Sequence, residues 1–353
     1  MNIYVPGPTR SWWKLLFVLG CIYLLNEVSA IFLPVVLAVV LAFILYPLVL
    51  FLERLPLGSR RFVMPRFVAI LVAFSLVGFV TFFLGSFLLL PLFSELNKFL
   101  ANLPEMAEKF RLLTATLNEE TIIQLPSSVQ GLIDQALSGA AAFSIDLLKR
   151  VIRSSLIFAT SLVEFVVVPV LTFYFLKDWR MLINNFVRYF PPAAHEKVNK
   201  ILSEIGRVVS SYIRGQAVVS IIIGGLVTIG IYTLGVDYPL VLGVLAMLTE
   251  AIPVVGPIVG AVPAIFLAYL NSPVLVVKVT IFYLIIHQLE NHIIVPTVMG
   301  ESINLHPVWI IISLLVGAQL MGVLGMIFAV PVAAIVNVLL KQLWFSDSEG
   351  NDK

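Results

Sequence analysis

Charge is what this chain has least of. Of its 353 residues only 12% are Asp, Glu, Lys or Arg, whereas 60% are hydrophobic. A soluble domain carries about 25% charged residues, so roughly half the charge needed to cover a water-facing surface is present. That shortage excludes an ordinary soluble protein. A net charge of +2 leaves no basic footprint for nucleic acid. Cysteine is reduced to Cys21, which excludes an intrachain disulfide; its place in an apolar run reads as a small hydrophobe. Histidine occurs four times, too few and too scattered for a metal site. H-E-x-x-H, G-x-G-D and G-x-S-x-G are all missing, as is a Walker loop. These absences argue against intramembrane hydrolysis and direct ATP coupling, so neither an enzyme nor a cofactor is expected.

What is present are continuous apolar runs of about 20 residues, the length of a membrane helix rather than of a barrel strand. The chain therefore reads as an all-α polytopic membrane protein with about eight hydrophobic segments. These are 12–26, 29–52, 67–91, 154–176, 215–235, 239–270, 274–295 and 307–340. The first follows Arg10, Trp12, Trp13 and Lys14 and reads as an uncleaved span with interfacial tryptophans, because hydrophobic sequence resumes at Val28. Basic residues before it, in the loop with Arg54, Arg60, Arg61 and Arg66, after 176 and at Lys341 all fall on one side when the chain is threaded. The positive-inside rule names that side cytoplasmic, with both termini there.

The organisation follows. Residues 1–91 hold N-terminal spans and 92–153 an extracytoplasmic amphipathic helical segment. In it, Ser127 and Gln130 form a capping box ahead of Val129, Ile133, Ala136, Leu137, Ala140 and Phe143 at helical spacing. A further span, 154–176, leads into a cytoplasmic amphipathic segment, 177–214. There Val198, Ile201, Leu202, Ile205, Val208 and Tyr212 form a stripe among basic residues that suits an anionic inner surface. Residues 215–341 form the C-terminal core and 342–353 a disordered cytoplasmic tail. The apolar face of 92–153 wants a partner, and a second copy of the chain is one.

Two segments of this core are broken. The sixth contains Ile252-Pro-Val-Val-Gly-Pro257 and Pro263, and a straight helix cannot take Pro253, Pro257 and Pro263 without losing hydrogen bonds. The eighth contains Gly317, Gly322 and Gly325, then Phe328-Ala-Val-Pro331. Each is too long for one ordinary span and too short for two. Each is thus a long kinked crossing or a re-entrant hairpin, and Gly-Pro at a midpoint favours the hairpin. Unsatisfied backbone groups cost several kcal/mol in hydrocarbon, so such breaks survive where they line a cavity, as in carriers.

Between the breaks, segment 274–295 carries His287, Glu290 and Asn291 on one face, with Gln288 and His292 on the adjacent one. The cluster is either a helix end reaching headgroup water or a solute or cation site with Glu290 as charge carrier. Glu250, just before the first break, is a further candidate. With Pro253, Gly256, Pro257, Gln319, Gly322 and Gly325 these residues make up the candidate pathway. Glu164, Arg214 and Gln216 are secondary polar candidates; an acid here would relay protons or pair with Arg214 or a hydroxyl.

Phe173-Tyr-Phe-Leu-Lys-Asp178, Tyr212-Ile-Arg-Gly-Gln216, Ile252-Pro-Val-Val-Gly-Pro257, Gln288-Leu-Glu-Asn291 with Pro296, and Leu305-His-Pro307 with Gly325 and Ala329-Val-Pro331 occur in order. Together they resemble the autoinducer-2 exporter family of bacterial membrane proteins, most strongly from about residue 170 to 341. The family commonly has a polar residue such as Asn where this chain has His292. The resemblance implies a multi-spanning inner-membrane carrier. On that resemblance the expected activity is export of a small polar signal or, in the alternative, exchange of sodium or lithium for protons. A homo-oligomer follows by analogy. A membrane scaffold that moves no solute is the remaining reading.

Overall fold

A computed structural model describes residues 29–54, 64–120, 162–300 and 305–342, with isolated positions between 135 and 150. The expected first span with Cys21, the capping box at Ser127 and Gln130, and all of the tail beyond residue 342 lie outside the described residues. So does the side chain of Glu164. Among the described residues every regular element is helical. They are α1 (Ser29–Arg54), α2 (Arg66–Glu120), α3 (Leu162–Val187), α4 (His195–Leu234), α5 (Pro239–Thr249), α6 (Val255–Asn271), α7 (Pro273–Leu289), α8 (Val295–Met299) and α9 (Pro307–Leu340). A 3₁₀ turn precedes α4, and a π-helical turn, Glu290–Ile294, joins α7 to α8.

The protein is an all-α polytopic membrane protein. Among the described residues five helical stretches are long and apolar enough to cross a bilayer: Leu33–Arg54, Arg66–Phe83, Pro192–Leu234, Pro273–Met299 and Pro307–Leu340. Large apolar side chains such as Phe82, Ile221, Ile229, Leu284 and Leu315 stand exposed along them. Water would penalise that surface and hydrocarbon does not.

The chain divides into two compact units, residues 1–70 with 159–179 and residues 71–158 with 180–353. In the first, the Thr172 hydroxyl donates to the Ala38 carbonyl at 3.1 Å. The Arg66 guanidinium donates twice to the Leu176 carbonyl, at 2.9 and 2.7 Å, and faces Glu53 at 3.6 Å. Phe67 and Phe173 meet edge to face.

In the second unit α4 is the spine. Its 40 residues reach about 60 Å, twice the roughly 30 Å hydrocarbon thickness, so the amphipathic stripe and the following span are one continuous helix. It ends at Gly235, whose left-handed φ of 74° suits glycine at a helix C-terminus. α5 folds back along it. Their backbones come close because Gly224 and Gly243 face one another: a Cβ on Gly224 would lie 3.0 Å from the Gly243 carbonyl oxygen. α5 has 11 residues and α6 has 17, about 16 and 26 Å, each short of a full crossing. They pack together as a hairpin: a Cβ on Gly260 would lie 3.3 Å from the Ala246 Cα. α7 then returns beside α6, its start fixed by Pro273 and by the Ser272 hydroxyl accepting from the Leu275 amide at 3.2 Å. The buried core of this unit joins Val227 and Ile231 of α4 to Leu242 and Leu245 of α5, Ala264 and Leu267 of α6, and Val279 of α7.

The eighth segment also turns back on itself. Gly322 has φ 61° and ψ −136° inside α9, a conformation open to glycine alone. In a straight helix Gly317 and Gly325 would stand about 12 Å apart; here a Cβ on either would overlap the backbone of the other. Both broken segments therefore bend sharply at the glycines and prolines that interrupt their periodicity. Gly325→Ala should destabilise the protein by about 1–3 kcal/mol through overpacking. Gly78→Ala, on a helix face with nothing within 4 Å, should not. Thermal melts in detergent check this pair, and equal melting points would contradict the tight bend.

Candidate functional site

The tip of the α5–α6 hairpin is where backbone and side-chain chemistry concentrate. α5 stops at Thr249 because Pro253 brings no amide hydrogen to the next helical turn and its ring crowds the carbonyl four residues back. The chain turns through Glu250 to Val254. The Ile252 amide donates to Thr249 at 2.9 Å and the Val255 amide to Pro253 at 2.8 Å. That last bond closes a γ-turn around Val254, which sits at φ 69° and ψ −44°. This is the rare, strained hand of the γ-turn, on a β-branched residue that avoids positive φ. Gly256 follows, and a Cβ there would collide with the backbone of Thr249 and Glu250. The end of α5 thus lies directly on the start of α6, and no larger residue fits at 256.

Ending a helix here leaves carbonyls without their usual partners. The carbonyl of Glu250 is met by Gln216 of α4, whose Nε2 donates to it at 2.5 Å. One turn earlier on α4, Tyr212 is buried, and its hydroxyl has no partner among the described residues. Tyr283 of α7 donates to the Gly260 carbonyl at 3.4 Å. Gln216 thus holds the hairpin tip from α4, and Tyr283 holds the first turns of α6 from α7.

Glu250 is 2% exposed and Glu290 is 6% exposed. The two carboxyls face each other within hydrogen-bonding reach, provided one of them carries a proton. No donor from the described residues reaches Oε2 of either. His287, one turn before Glu290, places Nδ1 3.6 Å from Glu290 Oε2. Asn291 lies 3.1 Å from His287 Nε2; with its amide donating there, the ring hydrogen sits on Nδ1 and faces Glu290. Glu290 opens the π-helical turn, a local widening that re-aims side chains and is frequent at functional sites. A cavity of about 10 Å³ lies between the carboxylates, bounded also by Thr249, Gly256, Pro257, Tyr283 and His287. That is close to the volume one water molecule needs.

The structure thus brings together Glu250, Gly256, Pro257, His287 and Glu290, with Pro253, Gln216 and Asn291 adjoining. It does not bring in the others. Gln288 of α7 and His292 of the π-helical turn are exposed and do not line the cavity; His292 Nδ1 lies 3.0 Å from the Gln288 carbonyl oxygen. Arg214 is half-buried and makes no ion pair with either carboxylate among the described residues. Gln319 and Gly322 are exposed at the bend of α9 beside Leu320, Met321 and Val323, and Gly325 is buried against Gly317. Sequence reading missed Tyr212 and Tyr283 as site residues, since a tyrosine within an apolar stripe carries no distinctive spacing. Among the described residues no group of three or more ligating side chains could hold a metal ion.

Comparison with known proteins agrees with the architecture. Over 326 residues, 89% of this chain and 86% of the relative, it is 30% identical to "Putative transport protein YrrI" of Bacillus subtilis. It is 28% identical to "Putative transport protein YueF" of the same organism, over 92% of this chain and 90% of that one. With "Putative permease PerM" of Escherichia coli it shares 27% identity over 88% of this chain and 87% of the permease. The model describing AI-2E family transporters matches residues 14–344, so the chain belongs to the AI-2E transporter family, a family of membrane transporters rather than of enzymes.

Proposed function

We propose that the protein is a proton-coupled secondary transporter of the bacterial inner membrane. It exports a small polar solute of the autoinducer-2 kind, with Glu250 and Glu290 as the proton carriers. The observation that supports this reading is the meeting of two buried carboxyls at the break of an apolar hairpin whose arms are each short of a full crossing. Two like charges 4 Å apart repel by about 4 kcal/mol at an effective dielectric constant of about 20, and desolvation adds several kcal/mol per ion. A single proton between them removes the repulsion and supplies the donor that both Oε2 atoms lack. His287 lies next along the face of α7, with its Nδ1 hydrogen toward Glu290 and its ring fixed by Asn291. Glu250 moves with the hairpin tip and Glu290 with the π-helical turn, so a shift of either element separates the pair and releases the proton.

The cavity between the carboxyls suits a proton or a small ion, not an organic solute, so this is the coupling site and the solute takes a wider path. The same size favours a second reading, in which the pair exchanges protons for sodium or lithium. Reconstituted vesicles separate the two. Proton movement on adding sodium or lithium alone supports exchange; solute efflux driven by a proton gradient, without a response to those ions, supports export.

In either case Glu250→Gln and Glu290→Gln should each slow coupled flux on the order of 100-fold, the scale of a lost proton-transfer group. Wild-type flux in both variants would contradict the assignment. Gln216→Leu leaves the Glu250 carbonyl buried without its donor and should destabilise the protein by about 1–3 kcal/mol. A thermal melt alongside the flux assay checks this, and an unchanged melting point would contradict the role given to Gln216.

A further inference from the structure

Helix α2 continues without a break past residue 91 to Glu120. Its 55 residues reach about 80 Å, far more than the roughly 30 Å of hydrocarbon. Where it passes the entry to the hairpin it makes a set of contacts unrelated to membrane crossing. Glu95 Oε2 accepts from the amides of Leu240 at 3.0 Å and Val241 at 3.2 Å. Those amides belong to the second and third residues of α5, whose first turn otherwise lacks acceptors. The residue at the cap position is Tyr238, with a left-handed φ of 62° and no side-chain cap bond of its own. Tyr238 is held from α2 as well: Asn102 Nδ2 donates to its hydroxyl at 3.0 Å, and the ring of Phe99, 2% exposed, meets its ring edge to face at 5.2 Å.

We infer that Glu95 is a positioning residue, clasping α2 to the first turn of α5 and thereby fixing where α5 delivers Glu250. A serine or aspartate at the start of a helix normally meets these amides; here the acceptor comes from 145 residues earlier in the chain. A carboxylate at that place also opposes the positive end of the α5 dipole. α5 has 11 residues in all, so fraying of its first turn, where the clasp sits, removes about a third of the helix and shifts everything beyond it. Residues Glu95, Phe99 and Asn102 share one face of α2 at spacings of four and three, so a single face of this helix makes all the contacts.

The inference rests on Glu250 acting in transport, and the test separates the two. Hydrogen exchange of the full-length protein in nanodiscs is compared for wild type, Glu95→Ala and Glu95→Gln, with flux measured on the same preparations. Loss of a cap amounts to about a tenfold change in local opening. Glu95→Ala should therefore raise exchange about tenfold at residues 240–250, leave 275–289 unchanged, and slow maximal flux without changing half-saturation. Glu95→Gln keeps an acceptor oxygen and should restore both. Unchanged exchange at 240–250, or a rise spread evenly over the protein, would overturn the clasp. Raised local exchange with wild-type flux would overturn its role in positioning. Wild-type flux in Glu250→Gln would instead count against the carboxyl pair, whatever Glu95→Ala shows in exchange.

Discussion

A helix that stops inside an apolar layer must find partners for the carbonyls and amides it leaves behind, because each one buried without a partner costs as much as the fold can spare. The α5–α6 hairpin meets that demand at both ends with side chains from other helices. At its tip Gln216 takes the Glu250 carbonyl, and at its base Glu95 takes the amides of Leu240 and Val241. Pro253 and Pro257 rule out an unbroken helix here, so without these bonds the break would leave its polar groups unpaired. With them, a break can persist where hydrocarbon would otherwise forbid it, and the side chains at the break become available for chemistry.

The carboxyl pair follows from that arrangement. Gly256 lets the end of α5 lie on the start of α6, which turns Glu250 toward α7. The π-helical turn at Glu290 brings the second carboxyl to meet it. Each acid alone in this setting would be a penalty; together, with a proton between them, they form a satisfied unit that depends on the hairpin tip staying in place. We propose that this dependence is what couples the proton to movement of the tip.

Much of this was legible in the sequence. Composition gave the membrane class, and Pro253, Gly256 and Pro257 gave the place of the first break. Glu250, His287 and Glu290 stood out because ionisable residues are rare in such segments. What could not be read was which of them meet. The face containing Gln288 and His292 looked equally polar, and only packing shows that it turns away from Glu250. Gln319 and Gly322 were grouped with the first break by analogy between the two segments, yet they lie exposed at a separate bend. Glu95 was invisible as a helix cap because capping is recognised by local spacing, and this cap comes from a distant helix. The unbroken course of α2 and of α4 was likewise hidden, since polar residues along a helix mark where it leaves the membrane and not where it ends.

Proximity of residues 250 and 290 is the most direct test of the account. In a Cys21→Ala background, Glu250→Cys combined with Glu290→Cys should be joined within one chain by a short bifunctional thiol reagent, as read by mass spectrometry of the digested protein. Glu250→Cys combined with His292→Cys, whose second side chain faces away, should not. Linkage of the first pair alone is the predicted result. No linkage of 250 to 290, or equal linkage of both pairs, would contradict the hairpin tip as the place where the two carboxyls meet.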